Sequence, residues 1–451
     1  MPSTPISTKD IVSVEGNYLV KGDGTRFLMK GIGFPISYLE GYNETAWIGI
    51  LHQLESLKLE YNTVRIYEMD PAIDYSNFMN EAAELGVYVI VPLTAKDGHG
   101  VLSRDKAAPK CYPRKLFRYG VSCLHNYMQY PNVVAGLLGN EVINTLESWP
   151  AAPCVKAYGR DLKLYMKNTM ELEGQRPLPL IYAAQHSGIG AAYSADDVMK
   201  ITMDYLTCGE AAIDVFGVNI ETWCSSQATF ELDEDGEVGS YYSLHQSMNH
   251  SKIPLIFTEM GCSHDYFDKD NGLHDNYGSR DWKQVPIVLN EMVDTWSGFC
   301  AYAYSGNPMF DMFKGGPWRD APLEPTQDFH NFRHELHKLS HVTNVATTNV
   351  TTTKEDSVQQ TTTQSSLLTT SLKEYPLSTS SKCADVEKAL ASCDIHLKSF
   401  SKIVPYHYVS NAQAIEGHIH VISLVIVGVV GFFLIKRFRA RKKVEYVELQ
   451  C

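Results

Sequence analysis

The chain is short of cationic charge: 39 Lys and Arg stand against 52 Asp and Glu, for a net charge of −13. Phosphate binding wants a basic face, so nucleic acid is not expected as a partner. The ten cysteines include no C-x-x-C repeat, which is poor metal spacing and suits a few disulfides. There is no G-x-S-x-G elbow and no P-loop. GIGFPIS at 31–37 is not the G-x-G-x-x-G turn of a dinucleotide fold. HELH at 334–337 spaces its histidines three apart where H-E-x-x-H needs four, and reads as helix surface. HDYFDKDNGLHD at 264–275 lacks the register and closing Glu of a calcium loop, and reads as a solvated loop overhanging a cleft. No metal and no cofactor are therefore expected. The first twenty residues hold no apolar h-region, so no secretory leader is visible.

What is present divides the chain in five. Residues 1–340 carry globular patterning, with 44% hydrophobic and 20% charged residues over the whole chain. Residues 341–382 are rich in Thr and Ser (TTNVTTTK, QQTTTQSSLLTTS), cannot bury a core, and look like an extended O-glycosylated stalk. A juxtamembrane segment, 383–418, leads to an apolar run at 419–435 (VISLVIVGVVGFFLI from 421). At about 17 residues this run is at the lower limit for a spanning helix. The tail 436–451 opens KRFRARKK, the positive-inside signal that places it in the cytoplasm. Sequons at Asn43, Asn249 and Asn349 fit a chain exposed to the secretory lumen. The expectation is a single-pass plasma-membrane protein with its globular part outside the cell. Its N-terminus is then either incomplete or inserted tail-first.

Within 1–340, apolar β-rich runs fall at 27–34, 63–69, 87–94, 133–141, 179–185, 215–221, 254–261 and 298–305. They are continuous rather than alternating, as a parallel sheet covered on both faces requires. Helical patterns separate them, among them 48–58, 75–85, 114–128 and 286–295, with 329–339 closing the series. Eight such units predict an α/β fold of the (β/α)8, or TIM barrel, type.

In that fold the chemistry sits at the C-terminal ends of the strands. Glu141 ends the fourth run and Glu259 lies at the end of the seventh, on opposite sides of the barrel mouth. Either one alone would pass as a rim residue in a salt bridge. Together, at a separation of about 5–5.5 Å, they would form the pair of a retaining glycosidase, Glu259 as nucleophile and Glu141 as acid/base. Tyr67, Trp223, Tyr302 and Tyr304 stand near strand ends, where an aromatic serves equally for sugar stacking or for barrel packing. Trp223 is the preferred stacker.

GNEV at 139–142, NIETWC at 219–224 and FTEMGC at 257–262 resemble glycoside hydrolase family 72, the fungal β-1,3-glucanosyltransferases. KGIGF at 30–34, VRIYEMDP at 64–71, ELGVYVI at 84–90 and WSGFCAYAY at 296–304 support the resemblance. It implies a clan A barrel acting on extracellular or cell-wall β-glucan, cleaving a chain and passing it to another glucan end. On this resemblance Glu141 matches the acid/base, Glu259 the nucleophile and Asn140 the asparagine that bonds the sugar 2-OH. Tyr67 matches a cleft tyrosine, and Cys224 with Cys262 a disulfide pair.

The chain departs from the family pattern at several points. Phe34-Pro35 replace Tyr-Gln, Pro92 replaces a polar residue, SGNP at 305–308 replaces an acidic stretch, and Glu221 stands where the family has a tyrosine. A Glu221 pointing into the cleft would add a third carboxylate, raising a carboxyl pKa by like-charge repulsion and weakening the nucleophile. An endo-β-glucanase or a glucan-binding protein without turnover are the alternative readings. Other cysteine pairings stay open: Cys111 with Cys123, Cys208 with Cys300 or another partner, and Cys383 with Cys393.

Overall fold

The structure is a computed structural model describing residues 5–340, apart from 36–41, 96–99, 146, 174, 189–193, 224–226, 232–238, 264–278 and 316–321. The expectations for the stalk, juxtamembrane segment, apolar run and basic tail lie outside the described residues, as does the loop 264–275. Among the described residues no helix is long and apolar enough to cross a membrane.

The chain opens with a hairpin that the sequence reading did not foresee, β1 (Val12–Glu15) against β2 (Tyr18–Lys21). Eight parallel strands then close a barrel: β3 (Met29–Gly33), β4 (Thr63–Arg65), β5 (Tyr88–Pro92), β6 (Val133–Asn140), β7 (Leu180–Gln185), β8 (Val215–Ile220), β9 (Leu255–Met260) and β10 (Trp296–Ala301). Each lies within or against the run expected for it, and almost every strand residue is buried. Helices α1 (Glu44–Ser56), α2 (Ser76–Glu84), α3 (Arg114–Tyr127), α4 (Ala152–Glu173), α5 (Ala195–Leu206), α6 (Ser240–Met248) and α7 (Gln327–Ser340) pack around them. The helix expected at 286–295 is instead a short turn, Gln284–Pro286, running into a π-helical turn, Ile287–Glu291. A small ribbon, β11 (Phe313–Lys314) with β12 (Glu324–Pro325), precedes α7.

Strand alternation divides the barrel wall into two cores. Ile90, Val134, Ile181, Ala183, Val215 and Ile256 fill the interior, and the hairpin's Val12 and Leu19 join them. The hairpin thus closes the N-terminal end, anchored by the Tyr88 hydroxyl donating to the Asp10 carbonyl at 2.7 Å. Outward residues such as Val89, Tyr182, Phe216, Val218 and Phe257 belong to the larger core shared with the helices.

Cys111, ahead of α3, is bonded to Cys154 at the start of α4, rather than to Cys123. Cys123 lies free and buried on α3, and Cys300 lies free inside the barrel, so Cys208 is not its partner.

The seam between β3 and β10 leaves no room for added volume. Gly298 of β10 sits opposite Met29 with φ +105°, and a Cβ there would lie 2.0 Å from the Met29 carbonyl oxygen. Gly298→Ala is expected to cost about 3 kcal/mol or more in urea unfolding. Gly49→Ala, in open space on α1, should stabilise by about 0.5–1 kcal/mol.

Candidate active site

The site is built on two strands that each carry one extra residue. Along β6, Leu137 pairs with Ile181 but Gly139 with Tyr182. Along β9, Phe257 pairs with Val218 but Glu259 with Asn219. Bulges of this kind re-aim the side chains beyond them. Glu141 follows β6 with its N–H on the Ala183 carbonyl at 2.8 Å and a φ of +52°, a conformation uncommon outside glycine. Glu259 faces inward and is only 5% exposed.

A chain of polar contacts joins the two carboxylates. Asn219 Nδ2 donates to Glu141 Oε1 at 2.8 Å and to Asn140 Oδ1 at 3.0 Å. Thr258 Oγ1 donates to Asn219 Oδ1 at 2.8 Å. Arg65, wholly buried at the end of β4, donates through one terminal nitrogen to Asn140 Oδ1 at 2.7 Å. Its other terminal nitrogen reaches Glu259 Oε1 at 2.9 Å and the Thr258 carbonyl at 2.7 Å. Because Arg65 only donates, the Asn140 atom it meets is the amide oxygen, which leaves the Asn140 amide nitrogen as the group able to donate to a ligand.

Arg65, Asn219 and Thr258 were not assigned roles from sequence. The available signal was a charged or amide residue inside an otherwise apolar strand run (TVRIYEM, VFGVNIE), since a buried polar side chain needs partners.

Burial pushes the Glu259 carboxyl up to about 7; Arg65 opposes this, while Glu141 and Glu221 add to it. Glu221, just past β8, is likewise pushed up to about 7, by burial first and the charge of Glu141 second, with Arg280 opposing. The third carboxylate expected from sequence thus stands exposed just past the end of β8.

The aromatics separate. Tyr67 lies over the Arg65 guanidinium at 4.6 Å and 5.9 Å from the Tyr302 ring, which in turn rests on Phe310 at 5.1 Å. Trp223 is half-buried, with φ +58°, against His186 at 4.6 Å and Tyr241 at 5.4 Å. Tyr304 does not join them. It is fully buried, stacked on Phe313 at 4.2 Å, with its hydroxyl on Gln53 at 2.6 Å. One residue more or less along a strand exit turns a side chain from cleft to core, so Tyr304 offers no ring face to a sugar. Phe34 is also turned into the core, against Trp47 and Phe78. Cys262 is disulfide-bonded, and Cys224 lies outside the described residues.

Removing Arg65 would leave Glu259 buried without its cation. Arg65→Gln is expected to cost about 3–5 kcal/mol at pH 8, where Glu259 is ionised. The cost should be smaller at pH 5, where the carboxyl, already raised to about 7, is protonated. Urea unfolding at the two pH values measures the difference.

Comparison with known proteins bears on the family and the fold. Residues 6–340 match the family model of glycoside hydrolase family 72, described as glucanosyltransferase. The chain is 26% identical over 309 residues to 1,3-beta-glucanosyltransferase gas1 of Schizosaccharomyces pombe, covering 65% of this chain and 50% of that protein. It is 27% identical over 302 residues to 1,3-beta-glucanosyltransferase PGA4 of Candida albicans, covering 65% of this chain and 59% of that one. The chain thus spans little more than half the length of these relatives. Crystal structures of Saccharomyces cerevisiae Gas2p share the fold. A Glu-to-Gln mutant in complex with laminaritetraose and laminaripentaose superposes with a TM-score of 0.60 at 23% identity, covering 73% of this chain and 68% of that one. With its matched region taking in the whole barrel and both strand-end glutamates, this chain belongs to glycoside hydrolase family 72, the glucanosyltransferases.

Proposed function

We propose that the chain is a retaining β-1,3-glucan transglycosylase. The observation that carries this reading is the continuous link from Glu141 through Asn219, Asn140 and Arg65 to Glu259. It links two carboxylates at strand ends, one of them paired with a buried cation, and the roles follow the family resemblance and the pairing of a carboxylate nucleophile with a second carboxyl. Arg65 supports the ionised form of Glu259, which attacks the anomeric carbon and forms the glycosyl-enzyme. Glu141, at the mouth and bonded to Asn219, protonates the departing glycosidic oxygen. It then takes the proton of the incoming hydroxyl, a glucan chain end in transfer or water in hydrolysis. On this reading the Asn140 amide nitrogen donates to the sugar 2-OH, while Tyr67, Tyr302 and Trp223 supply apolar faces for the rings.

The family relatives named as glucanosyltransferases, and the laminari-oligosaccharide complex of a structural neighbour, support β-1,3-glucan as substrate. We further propose that the barrel works outside the cell, tethered through the apolar run 419–435 with residues 436–451 in the cytoplasm and a disulfide between Cys224 and Cys262. The sequence features described above support this placement.

The test is incubation of the protein with laminari-oligosaccharides and mass spectrometry of the products. Transfer yields products longer than the donor, and Glu141→Gln and Glu259→Gln should each lower their formation by at least about 100-fold. Shorter products alone would mark a hydrolase. Binding without turnover, unchanged in Glu259→Gln, would mark a glucan-binding protein and overturn the enzymatic reading.

A further inference from the structure

A second buried guanidinium lies at the mouth of the barrel, and the two-carboxylate mechanism does not use it. Arg280, between β9 and the turn Gln284–Pro286, is 1% exposed, and its ion-pair partner Asp328 on α7 is 2% exposed. Arg280 Nε donates to the two Asp328 oxygens at 3.1 and 3.0 Å. Trp282 completes this side of the pair, its Nε1 donating to Asp328 Oδ1 at 2.9 Å and its ring 4.4 Å from the guanidinium. The other edge of the fork turns to backbone. Nη1 donates to the Cys262 carbonyl at 3.3 Å and to the Tyr302 carbonyl, and Nη2 donates to the Phe310 carbonyl at 2.7 Å. Room for this approach comes from Gly261, at φ +146°: a Cβ there would lie 2.7 Å from Arg280 Nη1.

The three carbonyls belong to segments that flank the nucleophile. Cys262 lies just past β9, which carries Glu259, and Tyr302 lies just past β10. Phe310 follows in the next turn, which closes where the Ala303 N–H donates to the same Phe310 carbonyl at 3.1 Å. Tyr302, Ala303 and Phe310 form a small buried cluster apart from the main core, and Tyr67 packs against it. The Tyr302 ring stands 5.1 Å from Phe310 and 5.9 Å from Tyr67. Tyr67 in turn lies 4.6 Å over the Arg65 guanidinium, which reaches Glu259 at 2.9 Å. One planar fork thus ties the exit of the nucleophile strand to an aromatic cluster that rests on the nucleophile's own cation. A lysine beside Asp328 would keep the ion pair, but its single ammonium has no rigid set of donors to span three carbonyls.

We propose that Arg280 is a positioning residue for glucan binding: its bonds to the Cys262, Tyr302 and Phe310 carbonyls hold the Tyr302–Phe310–Tyr67 cluster in place beside Glu259. This rests on the reading of Glu259 as nucleophile and of Tyr302 and Tyr67 as ring faces for the sugar. The two edges of the guanidinium have separate tasks. The edge on Asp328 ties α7 to the barrel, and the edge on the carbonyls sets the aromatic wall.

The experiment compares the wild-type chain with Arg280→Lys, which keeps the charge and loses the fork. Gly261→Ala is the second variant, since its Cβ pushes the guanidinium off the carbonyls without removing it. Thermal melting first establishes which variants fold. On laminari-oligosaccharides KM should rise roughly three- to tenfold in each, about the worth of one aromatic contact, with kcat within about twofold of wild type. In a Tyr302→Ala background, which should itself raise KM, Arg280→Lys should add no further rise. A merely structural role would lower kcat through loss of folded enzyme and leave KM unchanged, and that result overturns the proposal. So does a KM rise undiminished in the Tyr302→Ala background, or failure of both variants to fold. Calorimetric binding of the same oligosaccharides in a Glu259→Gln background gives a readout that needs no turnover, and Kd should rise with Arg280→Lys by a similar factor. That rise, found beside a wild-type protein that turns over no glucan, would support the positioning role while refuting the transglycosylase reading.

Discussion

The buried guanidinium of Arg65 is the interaction on which the polar cluster at the barrel mouth depends. A cation wholly removed from water is tolerated only where its donors are met by well-placed acceptors. Here its two terminal nitrogens are met by Glu259, the Thr258 carbonyl and Asn140. The same contacts fix the Asn140 amide, and through it Asn219 and Glu141. A change at Arg65 is therefore felt at both glutamates, although it stands at the end of a different strand from either. The network is made of side chains from β4, β6, β8 and β9, so closing the barrel and assembling the site are one event.

Position at the rim comes from local irregularity imposed on a regular wall. The extra residue on β6 and the one on β9 shift the strand ends against β7 and β8. Positive φ values at Glu141 and Trp223 turn the chain sharply where it leaves the sheet. Such features persist where the surrounding structure over-determines them. The interior of the barrel, sealed below by the N-terminal hairpin, supplies that rigidity. What varies from the family pattern lies mostly around this frame: Phe34 is drawn into the core, Pro92 is buried at the end of β5, and Glu221 adds a third acid at the mouth.

Much of this was legible in the sequence. Eight apolar runs separated by helical patterns gave the barrel, because a parallel strand covered on both faces leaves a continuous hydrophobic trace. Carboxylates ending the fourth and seventh runs marked the mouth of the barrel, because strand ends open there in this fold. The π-helical turn at Ile287–Glu291 was not legible, since its apolar spacing passes for an ordinary helix. The N-terminal hairpin was missed because its two strands are only four residues each.

The eight barrel strands, their order and the two glutamates at strand ends could be read from periodicity and residue type along the chain. Folding in three dimensions was needed to show that Arg65 and Asn219 join those glutamates, that Cys111 bonds to Cys154, and that Tyr304 stacks on Phe313 while Tyr302 packs with Tyr67 and Phe310. These outcomes turn on which residues meet across the barrel and on single-residue shifts in strand register. A linear pattern carries neither, because contacts between distant segments exist only once the sheet has closed.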